Sequence, residues 1–327
     1  HAPTVAGLAK TIGNGAATNS FTEIGTYSNC ILMIGSNPEN GHPIAAMHIQ
    51  RALNRGAKLI VIDPIKTEFA SRADIHLQLE PEHNIPVINA LLYTIIEEGL
   101  VNEEFVRDHT IGIEYVKEAV KDYAPEVVAK YTRLNPEDIR AAARMYATTK
   151  PAVITHGMGV THFNHGVGGV CDVSNLFLIT GNICELGTGD LPLRGQENVQ
   201  GCCDMGVLPN IFPNLGSVTD PEQRAWFEKM WHLEPGFLNS KIGIHKTEVP
   251  DAILDGRVHF FWTIGENPVI SEPNTNHFLK GIANVDFYVV QDLFLTETSL
   301  KADVVLPGVA SSEKEGLYTN AERRRSE

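Results

Sequence analysis

Apolar and polar positions along the chain predict strands and helices in alternation. The run Cys30 to Ile34 is continuously apolar and ends in the turn-forming stretch GSNPENGHP. Apolar spacing of three and four then predicts a helix from Ile44 to Arg55, stopped by Gly56, and a second apolar run from Lys58 to Ile62 ends at Asp63 and Pro64. A strand, helix, strand unit of this kind makes a parallel sheet with its ligand edge at the strand ends.

Before this unit, Thr4 to Ala17 reads as a small-residue segment entering a helix. From Asn84 to Tyr146 the pattern is largely helical, clearest in VINALLYTIIEEG and EDIRAAARMYATT. Ala152 to Ile154 predicts another buried strand, and His156, Gly157, Met158 and Gly159 its end turn. A helix from Val170 to Leu178 then leads into a Gly-rich stretch, Thr180 to Asn210, which predicts a long structured loop. An irregular region with Pro and Trp follows to about Val249.

There the alternation restarts, and the sequence repeats itself. The strand run His259 to Ile264 ends in Gly265, Glu266, Asn267 and Pro268, as the first strand ends in Gly35, Ser36, Asn37 and Pro38. A strand from Phe287 to Val290 ends in Gln291 and Asp292, matching Ile62 and Asp63. Asp303 lies eleven residues beyond Asp292, and Asp74 lies eleven beyond Asp63. Each copy offers backbone N–H groups at one strand end, suited to a pyrophosphate, and an acid at the next, suited to a hydroxyl or amine of a nucleotide. Two nucleotide half-sites are the functional expectation.

At 327 residues the chain accommodates one large or two medium domains. A formal charge of −14, with Lys and Arg clustered only at Arg323 to Arg325, argues against nonspecific nucleic-acid binding. No apolar run reaches the length of a membrane span, and no signal-peptide pattern opens the chain. The five cysteines, Cys30, Cys171, Cys184, Cys202 and Cys203, contain no CxxC, so neither a zinc ribbon nor a cluster motif is expected within the chain. Reduced thiols and a cytoplasmic location are the expectation. His156, His162 and His165 stand six and three apart, which fits no standard zinc spacing, so no protein-ligated metal is expected. His42, before Pro43, reads as a turn residue or a polar contact at the nucleotide edge.

The Gly-rich stretch carries a single cation at its middle, Arg194. Its planar fork suits a carboxylate, and the glycines of the stretch, Gly195 beside it among them, let backbone approach a bulky ligand. PLRGQENVQGCCDMG in this stretch resembles the PxRGQNNVQGxCDMG segment of molybdopterin-dependent formate dehydrogenases of the dimethyl sulfoxide reductase family, with Glu197 departing from it. The similarity extends to HAPTVAGLA at the start, IGSNP with HPIAA, VVQDLFLTET, and ADVVLP near the end.

The resemblance implies an α/β fold of two Rossmann-like doubly wound units with mainly parallel sheets, related by a pseudo-two-fold repeat. The units are expected at 1–195 and 196–327, each binding one molybdopterin guanine dinucleotide, with the pair holding one Mo or W. It implies two-electron oxidation of formate to carbon dioxide, or the reverse, with Arg194 orienting formate and His1 taking the proton. It places Gly35, Ser36, Asn37, Asp63, Gly265, Glu266, Asn267 and Asp292 at the guanine nucleotides. Gly157, Met158, Gly159, Gly195, Gln196 and Gln200 are expected against the pterins. The metal-ligating Cys or selenocysteine would immediately precede His1, and a 4Fe-4S cluster is expected in a preceding N-terminal part. An iron–sulfur or flavin-containing electron-transfer subunit is the expected partner. On this reading the chain is the central portion of a larger catalytic subunit and is inactive by itself. The alternatives are another oxidoreductase of the family, such as a nitrate reductase, or a noncatalytic pterin-binding fragment. A plain NAD-dependent dehydrogenase is disfavoured, because no GxGxxG follows the first strand.

Overall fold

The computed structural model describes residues 2–196 and 198–326. The chain forms two compact units, one of residues 1–200 joined by 319–325, the other of residues 201–318 with 326–327.

The first unit is built on a parallel sheet of β1 (Cys30–Ile34), β2 (Lys58–Ile62), β3 (Ile75–Leu77), β4 (Ala152–His156) and β5 (Gly189–Pro192), in the order β3-β2-β1-β4-β5. Every residue of β1 is buried, because alternate side chains enter different cores. Leu32 and Ile34 pack among the helices Asn84–Glu97, Pro136–Thr148 and Gly166–Thr180, whereas Ile31 and Met33 pack with Ile24, Ile49 and Phe69 on the other side. Covering both faces is the usual condition of a parallel sheet, whose crossover connections lay helices on each side. The helices follow their apolar spacing. Val87, Ile88, Leu91, Leu92 and Ile95 bury one stripe of Asn84–Glu97, and Asn135 caps Pro136–Thr148 by accepting from the Glu137 N–H at 3.0 Å.

Three expectations are corrected. A helix already occupies Ala2–Ile12 rather than forming after the small residues. Those small residues serve close approach: a Cβ added at Gly7 would lie 2.6 Å from Cβ of Val170 in the neighbouring helix. The Gly-rich stretch is more than a loop, since it supplies β5 and the short helix Val199–Asp204. Part of β5's bonding comes from a distant segment: Asp190 N–H donates to Thr18 Oγ1 at 2.8 Å and the Thr18 N–H to the Asp190 carbonyl at 3.0 Å. The region expected to be irregular holds the helix Pro221–Met230, capped by Asp220, with Phe227 packed on Phe212.

The second unit carries a three-stranded parallel sheet, β6 (Phe260–Ile264), β7 (Phe287–Asp292) and β8 (Val304–Pro307), in the order β6-β7-β8. Phe261, Tyr288 and Val290 face a core made with Ile253, Phe278 and Ile282.

Candidate functional site

In a sheet ordered β3-β2-β1-β4-β5 the connections leave β1 and β4 in opposite directions, which opens a crevice beyond their carboxyl ends. Gly35, Ser36 and Asn37 leave β1 there, and Gly157, Met158 and Gly159 leave β4. The two turns meet backbone on backbone. A Cβ at Gly157 would lie 2.6 Å from the Gly35 carbonyl oxygen, and one at Gly35 would lie 2.7 Å from Gly159 Cα. Gly35 also has φ +54, a conformation L side chains rarely adopt. The Gly159 N–H donates to the Gly35 carbonyl at 3.0 Å and ties the turns together.

Beside this contact is a cavity of about 320 Å³, lined by His156, Gly157 and Met158 from the end of β4 and by Arg194, Gly195 and Gln196 from the chain after β5. Thr4, from the helix Ala2–Ile12, lines it as well. Arg194 reaches it because β5 continues pairing past its last residue: the Leu193 N–H donates to the His156 carbonyl at 2.8 Å. His42 Nε2 lies 2.7 Å from the Arg194 carbonyl and holds that backbone. The Arg194 side chain is only 8 % exposed, and its guanidinium donates to the carbonyls of Gly15 at 2.5 Å and Ala321 at 3.4 Å. His1, the expected proton acceptor, lies outside the described residues.

Of the other expected site residues in this unit, Ser36 and Gln200 are buried and Asp63 stands at the end of β2. Burial raises the carboxyl pKa of Asp63 above its usual range, against the bond its Oδ1 accepts from the Ile65 N–H at 2.8 Å. Two buried polar atoms at this edge have no partner, Ser36 Oγ and His156 Nε2. His156 escaped sequence reasoning as a site residue, and Asp190 was not singled out. His156 Nδ1 sits 3.0 Å from Asp190 Oδ1, with the two residues 1 % and 0 % exposed. The only hint was that both fall at predicted strand ends or within the Gly-rich stretch. His162 and His165 line a different cavity, with Asn84 and Phe163. Among the described residues no group of three or more His, Cys, Asp or Glu is placed to hold a metal.

The second unit repeats the local geometry. The Gly265 N–H donates to the Gln291 carbonyl at 2.8 Å, as the Gly35 N–H does to Ile62 at 2.9 Å, and Gly265 has φ +62. Asn37 and Asn267 each precede a Pro-initiated helical turn, Pro38–Gly41 and Pro268–Ser271. Thr67 Oγ1 accepts from the Ala70 N–H at 3.1 Å, and Thr296 Oγ1 from the Ser299 N–H at 3.2 Å. The repeated acids Asp74 and Asp303 are strand clamps: Asp74 Oδ2 accepts from the Leu59 N–H at 2.9 Å and Asp303 Oδ2 from the Tyr288 N–H at 2.8 Å. The turn side chains differ between copies. Asn267 Nδ2 donates to Glu297 at 2.7 Å and its Oδ1 accepts from Thr298 Oγ1 at 2.6 Å, while Glu266 pairs with Lys246. Asp292 Oδ1 accepts from the Leu293 N–H at 2.6 Å.

A parallel sheet with a glycine crevice at its switch point, in a chain that repeats its strand-end turn, has the architecture of an α/β ligand-binding scaffold. Residues 6–327 match the molybdopterin oxidoreductase family, and the chain belongs to that family. It is 45% identical over 326 residues to the F420-dependent formate dehydrogenase subunit alpha of Methanocaldococcus jannaschii, covering 99% of this chain and 47% of that protein. Formate dehydrogenase H of Escherichia coli is 41% identical over 323 residues, covering 99% of this chain and 45% of its own length. The chain therefore spans about half the length of these relatives. Among solved structures, the acetylene hydratase of Pelobacter acetylenicus superposes with a TM-score of 0.72 at 26% identity, covering 94% of this chain and 44% of that one. No helix among the described residues is long and apolar enough to cross a membrane.

Proposed function

We propose that the chain is the central portion of a formate dehydrogenase catalytic subunit, acting with two molybdopterin guanine dinucleotides and one Mo or W. The observation that carries this reading is the Arg194 cavity at the switch point, in a chain 45% identical to a formate dehydrogenase subunit. The residues present fit such a cofactor. Ser36 Oγ and His156 Nε2 are buried without partners at the ligand edge, and a Cβ at Gly195 or Gly265 would meet nothing within 4 Å. Gly35, Ser36, Asn37 and Asp63 would hold one guanine nucleotide, and Gly265, Glu266, Asn267 and Asp292 the other. Gly157, Met158, Gly159, Gly195, Gln196 and Gln200 would lie along the pterins.

Oxidising formate to carbon dioxide releases one proton and two electrons; the bound metal centre supplies the two-electron acceptor. Arg194 would take the carboxylate in a bidentate, charge-assisted pair, exchanging its long contact to the Ala321 carbonyl for the substrate and fixing the direction of the C–H bond. His1 would accept the proton. Electrons would leave through a 4Fe-4S cluster in the preceding part of the protein to an iron–sulfur or flavin subunit. A cytoplasmic location is part of the same reading, since a reducing compartment keeps cysteines as thiols. One observation favours a second reading, a family member acting on another small substrate: the Arg194 guanidinium already serves backbone carbonyls.

The test is formate-dependent reduction of a viologen dye by the full-length protein of known metal and pterin content. Turnover is expected, and Arg194→Lys should lower it by about 100-fold while leaving pterin content unchanged. No turnover in loaded protein would overturn the formate reading in favour of the second.

A further inference from the structure

We propose that His156, positioned by Asp190, is a second hydrogen-bonding group of the Arg194 cavity and binds a polar atom of its ligand. The inference rests on the cofactor and substrate reading above and adds a second polar residue to that site. His156 ends β4, while Asp190 pairs with Ile154 in β5, so both side chains project from the same face of the sheet. The ring turns Nδ1 toward Asp190 Oδ1 at 3.0 Å and lines the cavity, and Nε2 is its remaining polar atom.

Nε2 is buried and has no partner, although His156 is only 1 % exposed. Buried polar atoms are nearly always hydrogen-bonded, so an orphan on a residue that lines a cavity marks the place of a ligand atom. Asp190 is 0 % exposed, and among the described residues its ion-pair partner is His156, which fixes the ring with Nδ1 toward the carboxylate and leaves Nε2 for the ligand.

The cavity is then lined by a guanidinium and an imidazole. A polar ligand fits it, either the substrate carboxylate or a polar group of the cofactor. The two sources are told apart by experiment in the full-length protein. Replacing only His156 would strand the carboxylate, so the main variant is His156→Phe combined with Asp190→Val, which removes both buried polar groups together. His156→Gln, which keeps an N–H donor, is the second variant. Melting temperature, pterin per chain and steady-state kinetics are measured for each.

If the ring meets substrate, the double variant raises KM for formate about tenfold or more at unchanged pterin content, and His156→Gln recovers part of the loss. If it meets cofactor, pterin content falls instead, a readout that needs no turnover and so stands even if the protein proves inactive on formate. A folded double variant with unchanged pterin content and unchanged KM overturns the proposal. If the double variant does not fold, a His156→Gln protein with unchanged KM and pterin content set against a His156→Phe protein showing the same values overturns it equally.

Discussion

The two sheets carry the same local turns in different surroundings. In the first, β1 is buried along its whole length between two helical layers. In the second, Phe261 and Tyr288 face a core, but the opposite face leaves Trp262 46 % and Ile264 63 % exposed, with Phe260, Phe287 and Leu306 beside them. Yet the glycine, threonine and aspartate bonds agree between the copies to within a few tenths of an ångström. The strand-end turn is therefore a local device. It needs the strand, the glycine and the clamp, and it does not need a second helical layer.

The strongest way to break this comparison is to truncate equivalent apolar side chains in the two sheets. Leu32→Ala should cost the first unit about 2–5 kcal/mol, read by urea unfolding of the chain. A loss below 1 kcal/mol would show that the double-layered core is looser than its burial implies.

A second test exploits a half-buried acid of the first unit. Asp172, in the helix Gly166–Thr180, has its pKa raised to about 7 by burial. Its folded pKa lies above its unfolded one, so the native state binds more protons between about pH 4 and pH 7 and stability falls as pH rises through that window. Asp172→Asn should remove this decline, raising the melting temperature at pH 8 and leaving it unchanged at pH 3. An equal shift at both pH values would assign the effect to packing.

The smallest expected effect is on the open face. Trp262→Ser should change stability by less than about 1 kcal/mol and improve solubility of the chain, measured by light scattering. A large destabilisation would mean that this face is covered in solution.

The strands β1 and β2 were legible because continuous apolar runs are bounded by turn residues, and the repeat was legible because Gly35 and Gly265, and Asp74 and Asp303, make the same bonds in both copies. β5 was not. Gly189, Asp190, Leu191 and Pro192 show neither alternation nor an apolar run, and their bonds come from β4 and Thr18, far off in sequence. The same distance hid the pairing of His156 with Asp190. Arg194 was legible as a wall residue through its glycine setting, whereas its carbonyl partners, Gly15 and Ala321, were not, since neither carries a side-chain signal.

The meeting of Gly35, Gly157 and Gly159 presses backbone on backbone where the two strands end. Such a joint is chemically anonymous: it offers shape and peptide groups, the same to any ligand. On the proposed function, choice among ligands falls to side chains that line the neighbouring cavity, Arg194 and His156 among them. Changes there would redirect what the cavity accepts while the joint beside it stays the same.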